Sequence, residues 1–304
     1  FYLFFDKTYF FILSALFVGF GYAVTSGNLE ALIHDNLDEL GKGHDYDKIQ
    51  SNQSVFMYLG RASSSFFAGY LYFYSATLPY IATIICFIIA TILVFFIHSP
   101  KQELSKETNN IAHMKKAFIF LSKNLKMLMI IMFVGFILSG IGNIYWFTYQ
   151  PYLEKIGVDI SNIGIIYFFV SLFSAIGSYF IKMIKIKYDT FEIIKYMLFM
   201  LFFISLMFHY IGNIFGVIPI LTLSVGFGFI TFLGNTYLIK QSPKTHKSTI
   251  LSIFSLSVSL GYFIFGSVSG YIAQIYSLDF LYTLLPFVIS GMLFLYIYLV
   301  GKKA

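Results

Sequence analysis

The sequence predicts an all-α polytopic membrane protein with nine transmembrane helices, and three observations carry that prediction. Hydrophobic residues make up 58% of the 304-residue chain and charged residues only 11%, against about a quarter charged in a soluble domain. Apolar runs of the length needed to cross a hydrocarbon core, about 20 residues for about 30 Å, recur along the whole chain. The basic residues fall almost entirely between alternate pairs of those runs. A β-barrel is excluded, because period-2 alternation is missing and the runs far exceed barrel strands of about 9–11 residues. Cys86 is the only cysteine, which excludes a disulfide scaffold. Basic loops on one face of a membrane account for the net charge of +6, so no nucleic-acid partner is expected.

The nine runs cover residues 9–33, 54–75, 78–98, 127–150, 162–182, 192–213, 215–239, 248–272 and 280–301. With the segment after the first run placed in the cytoplasm, eighteen of the twenty basic residues fall on the inner side. Only Lys7 and Lys155 fall outside. This asymmetry supports the span count and sets a cytoplasmic carboxyl terminus. Residues 99–126 form the one long inner loop. It begins with a polar stretch around Pro100, Lys101, Gln102 and Glu103. It ends with Ile111, Met114, Phe118, Leu121 and Leu125 at helical spacing opposite Lys115, Lys116 and Lys123. The second part reads either as an amphipathic helix on the inner leaflet or as an early start of the fourth span.

A repeat organises the spans. Gly19 and Gly226, Asn28 and Asn235, and Pro79 and Pro286 stand at one common spacing of 207 residues. The motifs Gly19-Phe20-Gly21-Tyr22 and Gly226-Phe227-Gly228-Phe229 match within it. Spans seven to nine therefore read as a parallel copy of spans one to three, the arrangement of transporters whose halves are related by an axis along the membrane normal. Extending the repeat places about 80 residues and three further helices ahead of Phe1, giving twelve helices in two bundles. Residues 1–98 are then the remainder of an N-terminal six-helix bundle, 99–126 a cytoplasmic linker with an amphipathic helix, and 127–304 a C-terminal six-helix bundle. The upstream helices are expected to be required for transport.

Three stretches carry a resemblance. Ser26-Gly27-Asn28-Leu29-Glu30-Ala31-Leu32-Ile33-His34-Asp35 resembles the end of the fourth helix in a bacterial, drug-exporter-like group of the major facilitator superfamily. Asn143 through Trp146 to Gln150-Pro151-Tyr152 is similar to that group's seventh helix and outer loop. Pro243 with Lys247-Ser248-Thr249 is similar to the start of its eleventh helix. The resemblance implies the last nine helices of a twelve-helix fold in a bacterial inner membrane. It also implies alternating-access transport of a small molecule, proton-coupled efflux in particular, by a chain that is monomeric when full length. His34 stands where that group usually has an aromatic residue.

Candidate residues follow from the cost of placing polar groups in lipid, about 2.5–3.5 kcal/mol for a charge at a helix centre. Glu30 and Arg61, the only arginine, lie in neighbouring spans and are expected to pair. They read as a proton-coupling pair or as a permanent structural ion pair. Asn143, Trp146 and Gln150 follow an i, i+3, i+7 face and, with Asn28 and Asn235, are expected to line one substrate cavity. Trp146 and its neighbouring tyrosines read equally as an interfacial aromatic belt. Gly19, Gly21, Gly27, Gly60 to Gly69, and Gly266 with Gly270 suggest closely packed helix seams. The histidines lack metal-ligand spacing, and no phosphate-binding loop or catalytic grouping is visible. No cofactor and no enzymatic activity are therefore expected; the partners are a small-molecule substrate, protons and the bilayer. A membrane protein that does not itself transport is the alternative, followed by a lipid-modifying enzyme.

Overall fold

The computed structural model describes residues 8–25, 28–96, 110–243 and 246–301, and all of their regular structure is helical. The polar part of the linker, Gly27 and the side chain of Asn28 lie outside the described residues. In order, the helices are α1 (Thr8–Thr25), α2 (Asn28–Glu39), α3 (Tyr46–Tyr74), α4 (Leu78–Val94), α5 (Asn110–Lys123) and α6 (Leu125–Ile130). A π-helical stretch, Ile131–Leu138, leads into α7 (Ser139–Lys155). Then come α8 (Ile160–Lys187), α9 (Thr190–Tyr210), α10 (Val217–Gln241), α11 (Lys247–Ile275) and α12 (Leu278–Gly301).

Local chemistry explains the boundaries. Helix α2 stops at Gly41, whose φ of 68° suits a residue without Cβ, and the Lys42 N–H closes the turn onto the Leu37 carbonyl at 2.7 Å. Helix α7 ends the same way at Gly157 (φ 85°), with the Val158 N–H on the Leu153 carbonyl at 2.9 Å. Helix α9 starts with a capping box. The Asp189 carboxylate accepts from the Phe191 N–H, and the Glu192 carboxylate accepts from the Asp189 N–H. Helix α5 ends before α6 at Asn124, whose side chain turns back to donate to the Phe120 carbonyl at 2.7 Å.

Among the described residues, seven stretches are long and apolar enough to cross a membrane: Ile12–Glu39, Leu125–Lys155, Asn162–Lys187, Thr190–Tyr210, Ile214–Gln241, Lys247–Ile275 and Leu278–Gly301. The sequence suggested nine. Helix α4 is apolar but has only 17 residues. Helix α3 is long but polar in its first half, and the reason is packing. Its stripe of Gln50, Ser51, Ser54, Tyr58 and Ala62 is buried, and it is held against α8 and α10, where the Ser51 hydroxyl donates to the Ser178 carbonyl at 2.6 Å.

The core lies among α6 to α12, where α8 packs on α10, α9 on α12 and α7 on α11. Helix α3 runs the length of α8 and ties the N-terminal helices to this core. Outward faces carry bare aromatics, with Phe73 85% and Phe87 70% exposed, a surface that suits lipid rather than water. The glycine seams lie elsewhere than expected. Gly19, Gly21, Gly60, Gly69 and Gly270 have open space where a Cβ would sit, and only Gly266 approaches a neighbour, the Asn143 amide. One tight crossing is between α8 and α10 instead. A Cβ on Gly177 would strike the Val225 carbonyl, and one on Gly228 the Ser174 carbonyl. Those glycines sit in apolar sequence without GxxxG spacing, so the pattern rule passes over them.

Candidate functional site

A cavity of about 280 Å³ opens halfway along the bundle, where α3, α7, α8, α10 and α11 meet. Helix α3 supplies Tyr58 and Arg61, one turn apart and hence on one face. The Tyr58 hydroxyl donates to the Phe227 carbonyl of α10 at 3.1 Å. Its anchored ring lies under the Arg61 guanidinium, 5.5 Å from ring centre to Cζ. Helix α7 supplies Ser139, Asn143 and Trp146. The π-helical stretch ends where this face begins, and the Ser139 hydroxyl caps it by donating to the Val134 carbonyl, five residues back, at 2.8 Å. Such stretches recur at functional positions of helices. The Asn143 amide donates to the Tyr262 carbonyl of α11 at 3.1 Å, which sets how its amide is turned. Trp146 packs edge-on to Tyr167 of α8 and remains 40% exposed.

Below the cavity, at the end where charged residues collect, four contacts join α2 and α3 to α8, α10 and α11. The Asn235 amide donates to the Glu30 carboxylate at 3.0 Å. The Lys240 ammonium donates to Asp47 at 2.6 Å. The buried Lys247 ammonium lies 2.8 Å from Nδ1 of His34 and 3.9 Å from Asp38. The bond from Ser51 to Ser178 is the fourth. Every one of them links α2 or α3 to a helix from α8 onward.

The structure brings Arg61, Asn143 and Trp146 together in the cavity lining. It places Glu30 with Asn235 one level lower. Gln150 is not in the lining; it is exposed and its amide donates to Glu154 on the same helix at 3.0 Å. Asn28 opens α2, with its side chain outside the described residues. The expected pairing of Glu30 with Arg61 is not formed, and Arg61 has no acidic partner among the described residues. Depth is the reason. At 1.5 Å per residue, Arg61 lies about 22 Å above the start of α3, whereas Glu30 lies only about 14 Å above the end of α2. Sequence reasoning missed Tyr58, Phe227 and Tyr262, which are ordinary residues in a chain with 24 tyrosines and 38 phenylalanines. It also missed the partners of Asp47 and His34, because those contacts span about two hundred residues.

No curated protein matches the chain. The model of one family, the Major Facilitator Superfamily, matches residues 1–266. A bundle of apolar helices with a cavity at its middle and contacts joining two sets of helices below it is consistent with that match. The chain is thus a multi-pass membrane protein that belongs to the Major Facilitator Superfamily, a family of membrane transporters and not of enzymes.

Proposed function

We propose that this protein is a secondary transporter that moves a small amphipathic molecule by alternating access, with proton-coupled efflux as its mode. Helices α1 and α2, α3 and α4 are the counterparts of α10, α11 and α12 in a duplicated, twelve-helix plan, and the protein belongs to the bacterial exporter-like group. The charged end faces the cytoplasm of a bacterial inner membrane, together with the carboxyl terminus. Asn143, Trp146 and Arg61 line the substrate path.

One observation carries the reading: the bond from Asn235 to Glu30 closes the bundle directly below the cavity. An ionised carboxylate is a strong acceptor for the amide N–H. Protonation removes charge from that acceptor and weakens the contact, so the charged end is released when Glu30 takes a proton. Proton entry on one side and release on the other then drive the rocking of the two halves around the cavity. Arg61, which does not pair with Glu30, serves the cavity instead of the proton.

The test uses membrane vesicles from cells that make the protein from its complete reading frame, loaded with a panel of small amphipathic compounds of either charge. Glu30→Gln is expected to abolish accumulation driven by a pH gradient while preserving exchange across the membrane. Gradient-driven accumulation that persists in Glu30→Gln contradicts the assignment.

A further inference from the structure

We infer that the cavity takes an organic carboxylate, a small amphipathic monoanion whose charged group seats on Arg61. The inference rests on the cavity being the transport site and names the substrate class of that site. Arg61 is the only charged residue among those lining the cavity. Among the described residues its side chain makes no hydrogen bond, and a guanidinium offers five N–H donors in a planar fork. Four of the other lining side chains donate to the protein itself. The Tyr58 hydroxyl donates to Phe227, the Ser139 hydroxyl to Val134, the Ser174 hydroxyl to the Val170 and Ser224 carbonyls, and the Asn143 amide to Tyr262. A ligand entering this cavity therefore meets one cation with a planar fork and no anion.

Geometry favours a carboxylate. Tyr58 supports one face of the guanidinium and is itself pinned to α10, which leaves the edge of the fork available for a bidentate pair. The remaining wall is apolar, formed by Trp146, Phe227 and Ile230 among others. The volume of about 280 Å³ lies just below the range of ligand pockets, about 300–1,000 Å³. One ring or a short chain beyond the carboxylate fills it. A cationic ligand would meet Arg61 with no acid in the lining to offset the repulsion, which sets this cavity against the amines that an exporter-like chain could be expected to carry.

Trp146 is the only tryptophan in the sequence and lies in the lining, so its emission reports occupancy of the cavity. The experiment titrates the purified protein in detergent with three probes of one shape: 4-phenylbutyrate, 4-phenylbutanamide and 4-phenylbutylamine. A Trp146→Phe variant identifies the signal that belongs to the cavity. The carboxylate is expected to bind about tenfold more tightly than the amide, the margin of a charge-assisted pair, and more tightly still than the amine. Arg61→Gln is expected to erase the preference for carboxylate over amide, and Arg61→Lys to keep part of it. Equal binding of all three probes, or tighter binding of the amine, overturns the anion assignment but leaves the cavity as a binding site. If none of the probes changes the emission of Trp146, the cavity itself fails as the binding site, and the anion assignment fails with it.

Discussion

Asn235 on α10 and Glu30 on α2 meet at 3.0 Å across 205 residues of sequence. Asn28 is the counterpart of Asn235, and Tyr237 is the counterpart of Glu30. At the repeat spacing the carboxylate of the contact has no acidic match. An ionisable group on one side of the contact can bias the opening of that end without a matching charge on the other.

The pair formed by Asp47 and Lys240 closes the same end but is half-exposed on both sides. Solvent and salt screen it, so Asp47→Asn is expected to cost about 1 kcal/mol at most. Thermal unfolding in detergent should show a small loss that shrinks further in high salt. The double variant Asp47→Lys with Lys240→Asp should recover it.

Lys247 is a different case, because its ammonium is buried against His34 and Asp38. Lys247→Met strips a donor from a half-buried imidazole, and the expected loss is about 1–3 kcal/mol. The melting temperature should fall by several degrees, and Lys247→Arg should fall less.

Glycines offer a paired comparison. Gly177→Val drives a side chain into the Val225 carbonyl and should separate α8 from α10, at a cost of about 1–3 kcal/mol or more. Gly60→Ala meets open space and gains helix propensity, worth up to about 1 kcal/mol. Unfolding temperatures should move in opposite directions for the two variants.

At the far end of the C-terminal bundle, the Tyr282 hydroxyl donates to the Thr148 hydroxyl at 2.8 Å, and its ring stacks on Phe208 and packs edge-on to Tyr152. Tyr282→Phe keeps the rings and loses the bond. The expected loss is about 1 kcal/mol, read as a small drop in melting temperature with substrate binding unchanged.

Helix order was legible because the bilayer imposes long apolar runs, and α8 to α12 follow those runs closely. Helix α3 was legible as a helix, but its polarity had to be explained by burial against α8, which no run of hydrophobicity records. In the cavity, Asn143 and Trp146 stood out as rare residue types on one helix face. Gln150 shared that face on paper, yet it lies a turn beyond the cavity, where its own helix offers Glu154. Arg61 was conspicuous as the only arginine, but its partner was misjudged because depth along a helix was read from proximity in a hairpin. Tyr58, Phe227 and Tyr262 gave no signal, since their roles depend on which helices meet.

The most direct measurement is the distance between the charged ends of α2 and α10 as pH changes. Spin labels at Leu40 and Gln241, both exposed, in a Cys86→Ala background report it by pulsed electron resonance. Between mildly alkaline and mildly acidic pH, the distance distribution should shift to longer values on acidification. In Glu30→Gln it should stay the same at both pH values. A wild-type distribution that ignores pH, or a Glu30→Gln variant that responds as the wild type does, would contradict the role given to Glu30.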